Sequence, residues 1–238
     1  MSVTRLPKAI VFDVFGTVVD WRSSIIKEGR AWEAEMGIPV DWARFADEWR
    51  RRYRPSLDRV RRGEIPWTKL DVLHRVSLEE LLAKFGIDRL SEEEKDHWNK
   101  VWHRLNPWPD AIAGLKRLRR NFTIAPLSNG NLSMLTALAK YSGLPWDAIL
   151  SADLSKHYKP DRETYLMAAE LLDLAAPQVM LVAAHLYDLN AARDLGFQTA
   201  FVSRPLENGP RGKADSASVN DFDIVAQDLL DLAAQLGA

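Results

Sequence analysis

Apolar residues recur along this chain at two different periods, and the switches between them divide it into three stretches. The first is short. The run Ala9-Ile10-Val11-Phe12 reads as a buried strand, and it is closed by Asp13, which opens the turn Asp13-Val14-Phe15-Gly16-Thr17. From Trp21 to about Leu105 apolar positions fall three and four apart, as in Trp42, Phe45, Trp49 and Tyr53, which is the period of helices. The spacing predicts helices over Ser23 to Met36, Trp42 to Arg62, Trp67 to Phe85 and Ser91 to Leu105. Breaks are expected at Gly37-Ile38-Pro39, Gly63-Glu64-Ile65-Pro66 and Gly86-Ile87-Asp88, and Ser91 with Glu94 has the spacing of a capping box.

After the rigid segment Pro107-Trp108-Pro109 the pattern alternates. Strands are predicted over Phe122 to Leu127, Ala148 to Ser151, Val179 to Ala183 and Gln198 to Val202. Helices are predicted over Ala111 to Arg120, Leu132 to Ser142, Arg162 to Leu172, Leu189 to Leu195 and Val225 to Leu236. Parallel strands need crossover connections, so the expected class is α/β, a doubly wound parallel sheet with an inserted four-helix cap domain. The expected division is residues 1–20 and 106–238 for the α/β core and 21–105 for the cap. Glu207 to Asp221, with its Gly, Pro and Ser, reads as a surface loop and carries the least information; no internal repeat is evident.

Composition narrows the chemistry more than the fold. With 32 basic and 33 acidic side chains the net charge is -1, which gives no global field to draw in nucleic acid or an anionic membrane. Attraction of an anion must be local. There is no cysteine, so disulfides and thiolate chemistry are excluded. Arg5 and Lys8 precede only a short apolar stretch, and no segment approaches the ~20 apolar residues of a membrane span; the chain is expected to be cytoplasmic.

Parallel sheets bind ligands beyond the carboxyl ends of their strands, and four predicted strand tips carry reactive side chains. They hold Asp13 with Thr17, Ser128 with Asn129, Lys159, and Asp188. Each has an ordinary explanation: Asp13 as a turn or helix cap, Ser128-Asn129-Gly130 as a plain turn, Lys159-Pro160 as a solvated loop, Asp188 as cap of a helix near Leu189. All four at successive tips is harder to assign to chance. Phe15, two residues after Asp13, can neither hold a metal nor pass a proton to a leaving group. Phosphoryl transfer needs both aids, whereas halide leaves an sp3 carbon without a proton.

The segments VFDVFGT, LSNG, YKPD and VAAHLYD resemble, in order, the four signature motifs of the haloacid dehalogenase superfamily. The likeness covers nearly the whole chain, with the helical insert standing as the cap directly after the first motif. Phosphatases of that superfamily carry a second aspartate where this chain has Phe15. The aromatic there resembles the type II (S)-2-haloacid dehalogenases, as do Trp49-Arg50 near Phe45 and Tyr53, and Tyr165 beyond the motif lysine. The resemblance implies a Rossmann-like core and a hydrolase acting on carbon–halide bonds, with no metal and no cofactor. The implied partners are a short 2-haloacid and the halide product.

In the mechanism this implies, Asp13 attacks the α-carbon, halide departs with inversion, and water then cleaves the ester on Asp13. Lys159 keeps Asp13 ionised and Thr17 holds its other oxygen. Arg50 and Asn129 are carried over as halide-side donors, with Arg44 as the alternative to Arg50. Ser128 and backbone amides take the substrate carboxylate, and Val14, Phe15, Trp49 and Tyr165 are placed around the substrate, with Trp67 a further candidate wall. Asp188 orients or activates water. The fourth motif departs from the family pattern, with Ala183 and His185 at positions where serine and asparagine are familiar, so His185 is either general base or a structural histidine. The alternatives are a phosphatase of the same superfamily and a non-catalytic carboxylate-binding protein. Amphipathic cap helices with surplus aromatic residues fit either a homodimer face or packing within the insert.

Overall fold

The run Ala9-Ile10-Val11-Phe12 forms β1 (Ala9–Phe12), buried on both faces because helices cover both sides of a parallel sheet. The structure, a computed structural model, describes residues 6–37, 39–87 and 89–238, without the side chains of Glu35 and Met36; Arg5 and the breaks expected at Ile38 and Asp88 lie outside the described residues. After β1 come β2 (Val19–Asp20), α1 (Trp21–Met36), α2 (Trp42–Arg61), α3 (Leu70–Lys84), α4 (Glu92–Asn99), a 3-10 turn over Lys100–His103, and β3 (Asn106–Pro107). The rest is α5 (Ala111–Leu118), β4 (Thr123–Ser128), α6 (Leu132–Ser142), β5 (Leu150–Ser151), α7 (Ala152–Ser155), α8 (Arg162–Leu171), β6 (Val179–Ala183), α9 (Leu186–Asp194), β7 (Gln198–Val202), β8 (Ile224–Ala226) and α10 (Leu229–Gln235).

The main sheet is parallel, in the order β5-β4-β1-β6-β7-β8. The chain builds outward from β1 through β4 and β5 on one side and through β6, β7 and β8 on the other. The crevice where the order reverses therefore lies at the tip of β1. Side-chain alternation sorts the strands into two cores: Ile10, Phe12, Met180 and Val182 pack on one face, Val11, Leu181, Ala183 and Leu127 on the other. The Asp13 amide continues the ladder past the strand by donating to the Val182 carbonyl at 2.9 Å.

Helices α1 to α4 depart from and return to the sheet through one two-stranded antiparallel ribbon, with Val19 opposite Pro107 and Asp20 opposite Asn106. Asp20 caps α1, Asp41 caps α2, and Ser91 with Glu94 forms the expected capping box on α4. Phe45, Trp49, Trp98 and Trp102 knit these helices together, and Trp102 meets Phe15 edge-on at 5.8 Å, joining the helical layer to the first turn.

Three expectations need correction. The segment predicted as one helix from Val225 to Leu236 is a short edge strand, β8, followed by α10, because Asp228 caps a new helix there. Helix α9 begins at Leu186, so Asp188 sits inside its first turn and His185 takes the cap position. The first and last parts of the helix predicted from Trp67 and of that predicted to Leu105 are irregular or 3-10, with α3 starting at Leu70 and α4 ending at Asn99.

Candidate active site

Gly16 takes φ +91 in the turn after β1, which returns the chain so that Val18 and Val19 amides both donate to the Val14 carbonyl. That turn aims Asp13 upward and places Thr17 beneath it. The Thr17 hydroxyl donates to Asp13 Oδ2 at 2.7 Å and accepts from the Ala184 amide at 2.9 Å, tying the tips of β1 and β6 together. Lys159 Nζ donates to Asp13 Oδ1 at 3.0 Å and also to Asp188 Oδ2, whose other oxygen accepts from Tyr165. His185 Nδ1 donates to Asp13 Oδ2 at 2.9 Å. Three of the four tips named from the sequence thus meet around one carboxylate, and the fourth joins them through Asn129, which accepts from the Lys159 amide.

A fifth tip was overlooked. The loop after β7 folds back so that Glu207, only 4% exposed, accepts from His185 Nε2 at 3.0 and 3.1 Å and from Trp21 Nε1 at 3.2 Å. Glu207 Oε1 also lies 3.6 Å from Arg50. Arg204 braces this loop with a bidentate pair to Asp110 at 2.8 Å and a bond to the Thr17 carbonyl at 2.8 Å. The reading of residues from Glu207 onward as an uninformative surface loop fails at its first residue. The signal was available: Glu207 follows the end of a parallel strand, where the rule that found the other four applies equally.

Burial alone would neutralise these groups, and their charges survive because each is matched. Burial raises Asp13, but the Lys159 ammonium and then His185 outweigh it and hold the carboxyl well below the usual range. Burial lowers Lys159, yet Asp13 and Asp188 on either side drive it above its ordinary value. His185 is lowered by burial and raised more by Glu207 and Asp13, reaching about 10. At neutral pH it is an imidazolium donating through both ring nitrogens. Asp188 is raised, first by burial and then by the Asp13 charge. With Arg50, the cations and carboxylates of the cluster are equal in number.

Helix α2 covers the site. Arg50 lies over the Tyr53 ring at 4.6 Å and the Trp21 ring at 5.4 Å. Arg44, the alternative, is exposed over Phe85, so Arg50 is the inward arginine. Between α2 and the strand tips lies a cavity of about 170 Å³ whose walls include Arg50, Tyr53, Arg54, Asn129, Lys159 and Tyr187. That is well below the roughly 300–1,000 Å³ of pockets for drug-sized ligands. A larger cleft of about 520 Å³ around Arg30, Glu33 and Trp42 touches none of these groups. Arg50, Arg54 and Arg61 share the cavity side of α2, while Arg51 and Arg52 pair with the buried Glu48, Arg52 also with Glu80, and Arg59 and Arg62 with Glu64, all away from the cavity. The arginine run is therefore only in part a solvated face.

The remaining expected residues divide. Asn129 Oδ1 accepts from the Lys159 amide at 2.7 Å and its Nδ2 donates to the Tyr53 hydroxyl at 3.0 Å, leaving one amide hydrogen for a ligand. The Ser128 hydroxyl accepts from the Gly130 amide at 3.2 Å and keeps its own hydrogen. Phe15 is buried against Trp102 beside Asp13, and Val14 is buried beneath the turn. Tyr165 spends its hydroxyl on Asp188 and does not reach the cavity, a correction to its placement beside substrate. Trp49 is enclosed by Phe45, His74 and Trp102 and is core, not cavity wall, and Trp67 stacks on Tyr158. Among the described residues no group of three or more His, Cys, Asp or Glu is arranged to hold a metal.

A model of the haloacid dehalogenase-like hydrolases matches residues 7–196. (S)-2-haloacid dehalogenase 1 of Pseudomonas sp. (strain CBS-3) is 30% identical over 208 residues, spanning 83% of this chain and 85% of the relative. The crystal structure of the L-2-haloacid dehalogenase PA0810 superposes with a TM-score of 0.94 at 51% identity, covering 97% of this chain and 99% of that one. That of the defluorinating L-2-haloacid dehalogenase Rha0230 gives 0.95 at 45% identity, covering 98% and 96%.

Proposed function

The chain belongs to the haloacid dehalogenase-like hydrolases, and from that membership we propose that it removes halide from short 2-haloalkanoic acids by way of an ester on Asp13. It is a hydrolase of carbon–halide bonds that converts 2-haloacids to 2-hydroxy acids. The observation that carries the route is the pairing of Asp13 with a lysine while an aromatic ring, Phe15, stands two residues on. The nucleophile's charge is matched by an ammonium and its neighbour is apolar. That suits attack on carbon better than on a phosphoryl group, whose spreading charge calls for a cation clamp and an acid.

Oδ2 of Asp13 is already held by Thr17 and His185, whereas Oδ1 is held, among the described residues, by Lys159 alone and keeps a lone pair for the α-carbon. Arg50 and the spare hydrogen of Asn129 face the departing halide, and Ser128 with the turn amides takes the substrate carboxylate. Once Asp13 is an ester, one of the two negative charges that raise His185, the one facing Nδ1, is gone. His185 then releases its Nδ1 proton and serves as base for the water that attacks the ester carbonyl, while Glu207 keeps the other ring N–H in place. The imidazole returns the water's proton to the departing alkoxide and is recharged by the regenerated Asp13 carboxyl. One proton leaves per turnover, as halide hydrolysis requires. Asp188, with both oxygens occupied, supports Lys159 and is not the base.

Halide release from 2-chloro-, 2-bromo- and fluoroacids, measured with excess chelator, tests this reading. Activity unchanged by chelator and near-abolished in Asp13→Asn is expected. Activity lost with chelator, or retained in that variant, overturns the route.

A further inference from the structure

His74, on α3, is only 2% exposed, and neither of its ring nitrogens has a hydrogen-bond partner among the described residues. Polar groups are rarely left so, because an unmet donor forfeits its hydration without return. Its setting is specific. The imidazole stacks on Trp102 at 4.4 Å, and the Tyr53 ring is 6.1 Å away. Trp102 in turn meets Phe15 beside the nucleophile, and Tyr53 lies under the Arg50 guanidinium. Two of these neighbours share the same lack: Arg50 Nη1 and Trp102 Nε1 are buried with no acceptor among the described residues. Arginine and indole nitrogens only donate, and a neutral imidazole always carries one N–H. Burial pushes His74 down to about 3, so it is neutral at neutral pH.

Arg50, His74 and Trp102, buried with unpaired donors and linked by these ring contacts, suit an electron-rich guest of small size. We propose that His74, with Trp102, extends the donor wall begun by Arg50 around the departing halide, and that His74 tunes which halides leave readily. The inference rests on the dehalogenase reading above and deepens it. A neutral N–H stabilises an anion without supplying a proton, which is what a halide needs. Its hydrogen bond is strongest to the smaller, more charge-dense halides, so the gain is greater for chloride than for bromide.

Halide expulsion is included in kcat/KM even if ester hydrolysis limits kcat, so kcat/KM is the quantity to follow. In His74→Phe, which keeps the ring and removes both nitrogens, kcat/KM for 2-chloropropionate is expected to fall about tenfold or more and that for 2-bromopropionate distinctly less. Inhibition by added chloride is expected to weaken by a similar factor. Independently, the ring-nitrogen resonances of His74 in the unaltered enzyme, assigned by their absence from His74→Phe or a second variant, His74→Gln, should shift on titration with sodium chloride and not with sodium perchlorate. Equal losses for both substrates with unchanged chloride inhibition, or resonances indifferent to chloride, would overturn the proposal. If His74→Phe does not fold, the titration decides alone. An unaltered enzyme that releases no halide from any haloacid refutes the dehalogenase reading itself, which separates the two failures.

Discussion

At Gly16 a Cβ would lie 2.2 Å from Glu207 Oε1, and φ is +91, so side chain and backbone conformation are both refused there. Gly16→Ala is expected to cost about 1–2 kcal/mol from the backbone alone. It should also push Glu207 off His185, slowing ester hydrolysis more than ester formation; a burst of halide followed by a slower steady rate would report it. Removing the proposed base altogether makes the same point chemically. His185→Ala should accumulate enzyme heavier by the mass of the esterified acid, seen by intact-protein mass spectrometry, with turnover reduced roughly 10²–10⁴-fold. Unmodified protein under those conditions would move the base role elsewhere. At this scale the sequence was a good guide to Asp13, Thr17, Asn129, Lys159, His185 and Asp188, since each sits at a strand tip that patterning locates. Glu207 was missed because its loop was judged by its Gly, Pro and Ser composition. Tyr165 and Trp49 were misplaced because likeness of type does not fix where a ring or hydroxyl points.

Helix α2 turns one side to solvent and one to the cavity, and Arg54 stands over Tyr187 at 4.5 Å on the inner side. We propose that Arg54 draws anionic substrate to the mouth. With a Debye length of about 10 Å at 0.1 M salt, kcat/KM should fall as ionic strength rises, and Arg54→Gln should flatten that dependence while leaving kcat nearly unchanged. An equal salt response in both would remove Arg54 from the approach. Elements with long, single-period patterns were legible: the core strands β6 and β7 and helix α6 match their expected limits. β8 was not, because three apolar residues followed closely by an apolar helix present one continuous run, and only the Asp228 cap divides them. The even pairing of Asp20 with Asn106 supports treating residues 21–105 as one inserted unit, which we propose acts as the cap.

Across the whole molecule, two histidines shape stability against pH in opposite directions. His185 holds its proton to about 10 when folded but only to an ordinary value near 6.5 when unfolded. Its contribution is therefore complete below about pH 6.5 and is lost as pH rises toward 10. His74, held down to about 3 when folded, contributes fully above about 6.5 and loses that contribution as pH falls toward 3. Maximal Tm is expected near pH 6.5, with His185→Gln flattening the alkaline limb and His74→Phe the acidic limb, each by on the order of a few degrees. Calorimetry across that range checks it.

Asp13 and His185 are 172 positions apart, and Glu207 comes later still. A ribosome therefore delivers Asp13 long before its last partner. Until then neither His185 nor the carboxylate that holds it has been made, so a complete cycle of ester formation and cleavage is not expected on the growing chain. Recovery of turnover on refolding should accordingly keep pace with the slowest tertiary signal, not with early helix formation.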